Sequence, residues 1–409
     1  MLGQFDSLKA IVRVRYYSID NFVFKLHYRL TFYIFLVATI LVTSRQYIGE
    51  HIKCLSESGI PTHVMDTFCF FTTTYTIPQH YNATLLKQGN LPHPGVGPMG
   101  TKVNEDEVKR HAYYQWVPFV LFAQAIMFYL PHIIWKSIEG GKLKRLADGL
   151  HSGIISEADS VDYGDYHIMS KKERATRLEM IKSFLCNREI LNKSWSYYLI
   201  FCEHINFFNV ILQAFLIDRF LGGQFFTLGN ELIEHGVTAE VTVLEHVFPK
   251  VTKCTFHKYG PSGTIQSHDA MCVMALNIIN EKIYTFIWFW LIFLLLCSGL
   301  NLLYRYASLL LHSRSKRYNE IVFSAWRPAK LSPWMYFSVT KNFVYTEWLF
   351  LNYLSQNMDG LAFRELFTLL AGDGDVKKND DIYEKGKTLP LQTEKDALLE
   401  KNEKSEYKD

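Results

Sequence analysis

The stretch Ile283 to Tyr304 (IYTFIWFWLIFLLLCSGLNLLY) runs for 22 residues without a charged side chain. It is too long and too uniform for a core strand or an ordinary core helix, so it reads as a membrane-spanning helix. Upstream, Tyr113 to Trp135 (YYQWVPFVLFAQAIMFYLPHIIW) contains no acidic or basic residue other than His132. Its Trp116 and Trp135 stand about 28 Å apart on a helix, close to the hydrocarbon thickness, with aromatics at both ends and aliphatics between. Leu30 to Thr43 (LTFYIFLVATILVT) is a shorter apolar run, which Phe22 to Leu26 extends if Lys25 and Arg29 snorkel to the interface. Trp195 to Ile217 has the right length but carries Glu203, His204, Asn206, Asn209 and Gln213. It still reads as a span, because three spans would put the termini on opposite sides and spoil the charge pattern described next.

The chain as a whole hides this segregation. Its 409 residues are 49% hydrophobic, 20% charged and 15% aromatic, with a net charge of +3 and a mean hydropathy of zero. Those averages fit a soluble protein of two or three domains. The balance of 43 basic and 40 acidic residues excludes a nucleic-acid binder, which needs a surplus of Lys and Arg. Position resolves the average: residues 1–29, 136–194 and 305–409 hold 32 of the Lys and Arg, whereas 45–112 and 218–282 hold 11. Clusters such as Lys136, Lys142, Lys144 and Arg145, or Arg314, Lys316 and Arg317, follow the second and fourth spans. The positive-inside rule therefore predicts a multi-pass membrane protein with both termini and the central loop in the cytoplasm. A cleaved signal peptide over the first run is disfavoured by the 28 residues before it and by the lack of an A-x-A-like site after it.

With this topology the seven cysteines divide. Cys54 and Cys69 fall in the first outside loop and Cys254 and Cys272 in the second, which predicts two disulfides; Cys186, Cys202 and Cys297 are expected as free thiols. Four cysteines allow three pairings, and spacing does not choose among them. A metal site from His51, Cys54, His63 and Cys69 lacks the paired spacing of zinc ligands, and no metal or cofactor is expected. Asn82-Ala-Thr84 is an N-glycosylation acceptor on the outside, while Asn192-Lys-Ser194, on the cytoplasmic side, should stay unmodified. Gly95-Val-Gly97-Pro-Met-Gly100 matches a dinucleotide fingerprint in letters only, since Pro94 and Pro98 interrupt it and no helix is expected after it. No carboxylate pair, nucleophile elbow or phosphate loop stands elsewhere, so an enzyme is not expected.

Local motifs add a resemblance. Val42-Thr-Ser-Arg-Gln-Tyr-Ile-Gly49, Met65-Asp-Thr-Phe-Cys69 and above all Tyr113, Tyr114, Gln115, Trp116 and Val117 at the head of the second span resemble the innexins, the invertebrate gap-junction proteins. The resemblance runs to about residue 370. It implies a large-pore channel made of a ring of the same or related subunits, often eight, with two rings docking through their outside loops to join neighbouring cells. It also implies bridges between the loops, Cys54 with Cys272 and Cys69 with Cys254, and an amino-terminal segment folded into the pore mouth as a funnel.

The expected fold class is an all-α membrane protein: a four-transmembrane-helix bundle with a small disulfide-bridged extracellular domain and a helical cytoplasmic dome. The segments are 1–28 (amino-terminal funnel), 29–46, 113–135, 195–217 and 283–304 (spans), 47–112 and 218–282 (extracellular loops), 136–194 (cytoplasmic loop), 305–374 (cytoplasmic helical region) and 375–409 (disordered tail). Loops of about 65 residues are too small for a large core, so cross-linking them would make one compact outside domain. The first residues are amphipathic, with Phe5, Leu8 and Val12 on one face and Lys9, Arg13 and Arg15 elsewhere. Lys171 to Lys193 sets Leu178, Ile181 and Leu185 at helical spacing, which predicts a helix packed on 306–372.

Within the spans, Pro118 and Pro131 are expected to kink the second helix. Glu203, Asn206 and Gln213 share a face of the third, either lining a pore or bonding helix to helix, with the latter favoured. Three functions compete: an intercellular channel for ions and small metabolites, an undocked pannexin-like channel in one membrane, and a non-conducting four-span adhesion protein. A glycan at Asn82 is the feature that keeps the second in view; the long cytoplasmic segments and matched cysteine pairs oppose the third.

Overall fold

The computed structural model describes residues 17–49, 51–55, 60–98, 108–150, 161–163, 166–186, 194–235, 243–326, 331–341 and 343–372. The amphipathic face of Phe5, Leu8 and Val12, the Asn192 acceptor and the tail 375–409 lie outside them. The chain divides into two compact units, one of residues 22–134 and 202–302, the other of 1–21, 135–201 and 303–409.

Among the described residues, four helices are long and apolar enough to cross a membrane: α1 (Phe22–Tyr47), α4 (Val117–Glu139), α7 (Ser194–Phe220) and α10 (Ala275–Leu311). Each has a two-faced burial pattern at helical spacing. On α1, Phe35, Ala38 and Val42 are buried while Tyr33, Val37 and Ile40 are exposed. On α4, Leu121, Ala125 and Phe128 face inward, and Phe119, Phe122 and Ile126 outward. On α10, Tyr284, Ile287, Leu291 and Leu294 are buried against Phe286, Phe289, Phe293 and Leu296 exposed. Apolar side chains on the outer faces are what a hydrocarbon solvent permits. Within α1 the stretch Leu26–Thr31 is π-helical. Thr31 Oγ1 donates to the Leu26 carbonyl at 2.9 Å and accepts from Trp290 Nε1 of α10 at 3.0 Å.

The structure corrects one kink. Pro118 is the second residue of α4, whose first hydrogen bond runs from Val120 N to Trp116 O. A proline in the first turn removes a donor that would have had no helical partner, and its fixed φ suits the position. Only Pro131 lies inside the helix.

The two loops fold together into a head that contains a sheet, an addition to the helical fold the sequence predicted. The strands are β1 (Lys53–Leu55), β2 (Thr74–Thr76), β3 (Lys109–His111), β6 (Val251–Tyr259) and β7 (Ile265–Val273), in the order β1-β7-β6-β2-β3. β6 and β7 form a nine-pair antiparallel hairpin around residues 260–264, with Gly263 at φ 77°. Helix α2 (Thr62–Thr72) and the short α3 (Ala83–Lys87) belong to the first loop, α8 (Phe225–His235) and α9 (Val243–Val247) to the second. A separate two-stranded ribbon, β4 (Val161–Tyr163) with β5 (Tyr166–Ile168), belongs to the other unit.

That second unit is otherwise helical: α5 (Lys142–Ala147), α6 (Lys171–Cys186), α11 (Lys316–Trp326), α12 (Pro333–Thr340), α13 (Tyr345–Gln356) and α14 over 360–372. Leu178, Ile181 and Leu185 of α6 are buried, Arg174 pairs with Glu365 at 3.0 Å, and the Phe184 ring lies 5.5 Å from that of Phe350. The expected packing of this helix on 306–372 is therefore present. Two hydrogen bonds tie polar side chains inside the unit: Trp348 Nε1 donates to Asn319 Oδ1 at 2.7 Å, and Arg305, 3% exposed, donates to Tyr353 Oη at 2.6 Å. Asn357 clamps Ser18, accepting from its N–H at 2.7 Å and donating to its carbonyl at 2.9 Å.

Candidate functional site: the disulfide-braced head and its anchor on the spans

Cys54 of β1 stands directly opposite Cys272 of β7 in the ladder, and their Cα atoms are 4.0 Å apart. Cys69 in the last turn of α2 is bonded to Cys254 of β6, with Cα atoms 5.9 Å apart. This is the pairing the resemblance implied. The bridges join positions 218 and 185 residues apart, so each ties one loop to the other. The first to close removes about 5 kcal/mol of chain entropy from an unfolded reference in the loop-closure model, an upper bound because the spans already hold the loop ends together. Both sulfurs of the His51, Cys54, His63 and Cys69 set are consumed in disulfides, leaving no thiolate for a metal. Cys186 (exposed), Cys202 (buried) and Cys297 take no part in a disulfide.

Two of the three family motifs meet at these bridges. In Met65-Asp-Thr-Phe-Cys69, Met65 and Cys69 face the core, one turn apart. Asp66 points the other way and accepts the Cys54 N–H at 2.7 Å, which satisfies a donor on the edge strand β1. The last carbonyls of α2 have no helical donors. Tyr114 Oη donates to Phe70 O at 3.2 Å and approaches Cys69 O at 3.4 Å; Gln115 Nε2 donates to Phe70 O at 2.6 Å. The Tyr-Tyr-Gln-Trp-Val stretch thus caps, with side chains, the helix that carries a disulfide. Tyr113 packs its ring edge-on to Phe220 and Phe248, Val117 is buried, and Trp116 is 61% exposed, as an interface anchor should be.

At the start of α10, Asn277 Nδ2 donates to Pro249 O at 2.9 Å, and Lys250 reaches Glu245 at 2.8 Å and Glu281 at 3.3 Å. On the sheet, Lys253 is 3.0 Å from Asp269 and donates to Gly97 O at 3.3 Å. Gly95, from the false dinucleotide match, has φ 73°, and a Cβ there would stand 2.6 Å from the Tyr81 ring. His111 is buried with its Nε2 2.8 Å from Thr76 Oγ1. Desolvation, helped by the neighbouring Lys109 charge, pulls its pKa down to about 4.

Asn82 is exposed at the N-cap of α3, where its Oδ1 accepts the Thr84 N–H at 3.0 Å. In the spans, Glu203, Asn206 and Gln213 are all buried within a single subunit. Gln213 Nε2 donates to Asn209 Oδ1 at 3.1 Å and contacts Met127 Sδ, and Asn209 Nδ2 donates to Met127 O at 3.3 Å. That carbonyl is the one Pro131 deprives of its helical donor. The sequence had set Asn209 and Pro131 apart as unrelated features; the partnership across two spans is a tertiary fact with no local signal.

These features coincide with a protein family. The family model described as Innexin matches residues 20–373. The chain belongs to the innexin family. Innexin inx7 of Drosophila melanogaster is 45% identical over 383 residues, covering 91% of this chain and 85% of the relative. Innexin inx2 of Schistocerca americana is 38% identical over 383 residues (91% and 98%), and innexin inx3 of Drosophila melanogaster 36% over 381 (91% and 90%). Innexins form gap-junction channels in membranes, and this innexin has the family's four apolar helices and two disulfides.

Proposed function

We propose that this innexin assembles with copies of itself or of related subunits into an octameric ring, and that two rings from touching cells dock through the disulfide-braced heads. The observation that carries the reading is the head: both bridges join the two loops, and the Tyr114 and Gln115 caps fasten the bridged helix to the second span. A surface held covalently and anchored in the membrane has little conformational entropy left to lose on docking. Both termini are cytoplasmic in this reading, since oxidised bridges belong to the outside and the basic segments to the inside. In this reading the part of the 1–28 segment that precedes α1 forms the pore mouth, and the buried Glu203, Asn206 and Gln213 face the helix bundle and not the conduit. The activity is passage of ions and small metabolites, with no enzymatic step.

Cys54→Ser tests the docking role. Expressed in paired cells that lack native junction proteins, it is expected to reach the surface yet give no junctional conductance; normal coupling would contradict a need for the bridge. The undocked reading keeps one specific support, the exposed Asn82. Current across single membranes with none across paired cells, restored to coupling by Asn82→Gln, would select it.

A further inference from the structure

Between the third and fourth spans the structure has an apolar recess of about 280 Å³. Val210 and Ala214 of α7, Phe225 of α8, and Trp288 and Leu291 of α10 form its walls. Gly229 makes one wall possible: a Cβ there would collide with the Trp288 indole, so only glycine lets the ring lie flat against α8. The volume is nearly twice that of the engineered cavity of 150 Å³ that stays dry and takes benzene, so water is a poor occupant and an alkyl group a good one.

We infer that this recess binds one acyl chain of a bilayer glycerolipid. Three observations select that occupant. The lining lies in the last turns of α7 before Asp218 and Arg219, where hydrocarbon gives way to head groups. The rim residues Phe215 and Ile292 are 59% and 40% exposed and continue into the exposed apolar row Phe289, Phe293 and Leu296, so the recess opens onto the same face that lipid wets. The single polar lining residue, Asn230, is exposed on α8 at the mouth. Its amide can donate to a glycerol ester while the chain runs down among Val210, Ala214 and Leu291. A lipid seated this way braces α8, and with it the second loop, against the spans.

The test uses the full-length channel in phosphatidylcholine nanodiscs doped with a phosphatidylcholine that carries a diazirine on its acyl chain. After irradiation, adducts are mapped by peptide mass spectrometry. The wall residues Val210, Ala214, Phe225, Trp288 and Leu291 should carry roughly fivefold more label per residue than Leu296 and Leu300, the gain that a preference of about 1 kcal/mol gives. Ala214→Trp, which fills the recess, and the milder Ala214→Leu should reduce that excess in order of side-chain volume. Labelling of the wild-type recess no higher than at Leu296 and Leu300 would overturn the inference, as it would if a neighbouring subunit filled the space. An excess that both Ala214 variants leave intact in folded protein would overturn it equally.

Discussion

Proline at position 131 deprives the second span of one backbone donor, and the carbonyl left behind, that of Met127, accepts from Asn209 of the third span. In hydrocarbon an unsatisfied carbonyl has no water to turn to. Asn209→Leu should therefore destabilise the purified channel by about 1–2 kcal/mol. In a Pro131→Ala background, where an intrahelical N–H returns, the same substitution should cost clearly less; equal losses in thermal unfolding of both backgrounds would refute the pairing. Outside the membrane, His111 is the titrating residue to watch. Its folded pKa of about 4 lies below the ordinary 6.5, so the fold favours the neutral ring. Its contribution is complete above pH 6.5 and is lost as pH falls toward 4, of order 3 kcal/mol at most. His111→Gln should flatten the loss of head stability over that interval. These residue roles were only half legible: the sequence shows that an Asn and a Pro sit in spans, but which carbonyl meets which amide depends on how the helices pack.

Among elements, the spans were the most legible, because a charge-free run of more than 20 residues has one stable solution in lipid. Their ends were less so: the first helix begins at Phe22, ahead of the apolar run at Leu30, since backbone hydrogen bonding continues where hydropathy has already fallen. The head's sheet went unread. Its one signal is Gly260-Pro-Ser-Gly263, a turn between two nine-residue stretches of which only the first, VTKCTFHKY, is rich in β-branched and aromatic residues. The strands β1, β2 and β3, three residues each, carry almost no pattern of their own. The Tyr-Tyr-Gln-Trp-Val motif was noticed as a family mark, but its physical work, capping α2, appears only once α2 and α4 are in place. Gln115→Ala and Tyr114→Phe should each loosen α2, and most when combined, because both donate to the Phe70 carbonyl. We expect a loss of about 1–3 kcal/mol per carbonyl left without its donor, and slower formation of the Cys69–Cys254 bridge during folding. Wild-type melting and oxidation in both variants would show that the caps are incidental.

For the molecule as a whole, the segregation of 32 Lys and Arg from 11 along the chain predicts sidedness, and the two acceptors Asn82 and Asn192, expected on opposite sides, give a direct check. Protein made in cells should lose one glycan on Asn82→Gln and be unchanged by Asn192→Gln; the opposite pattern would invert the topology. The resemblance that rested on a few short motifs extends over residues 20–373, so the chain's architecture is the family's nearly throughout. The central claim, that this innexin joins two cytoplasms, is tested most directly by dual whole-cell recording from paired cells without native junction proteins, each expressing the wild-type chain. The account predicts a junctional current that appears only when both cells express it. Surface-expressed protein that passes current through single membranes alone, or none at all, would contradict it.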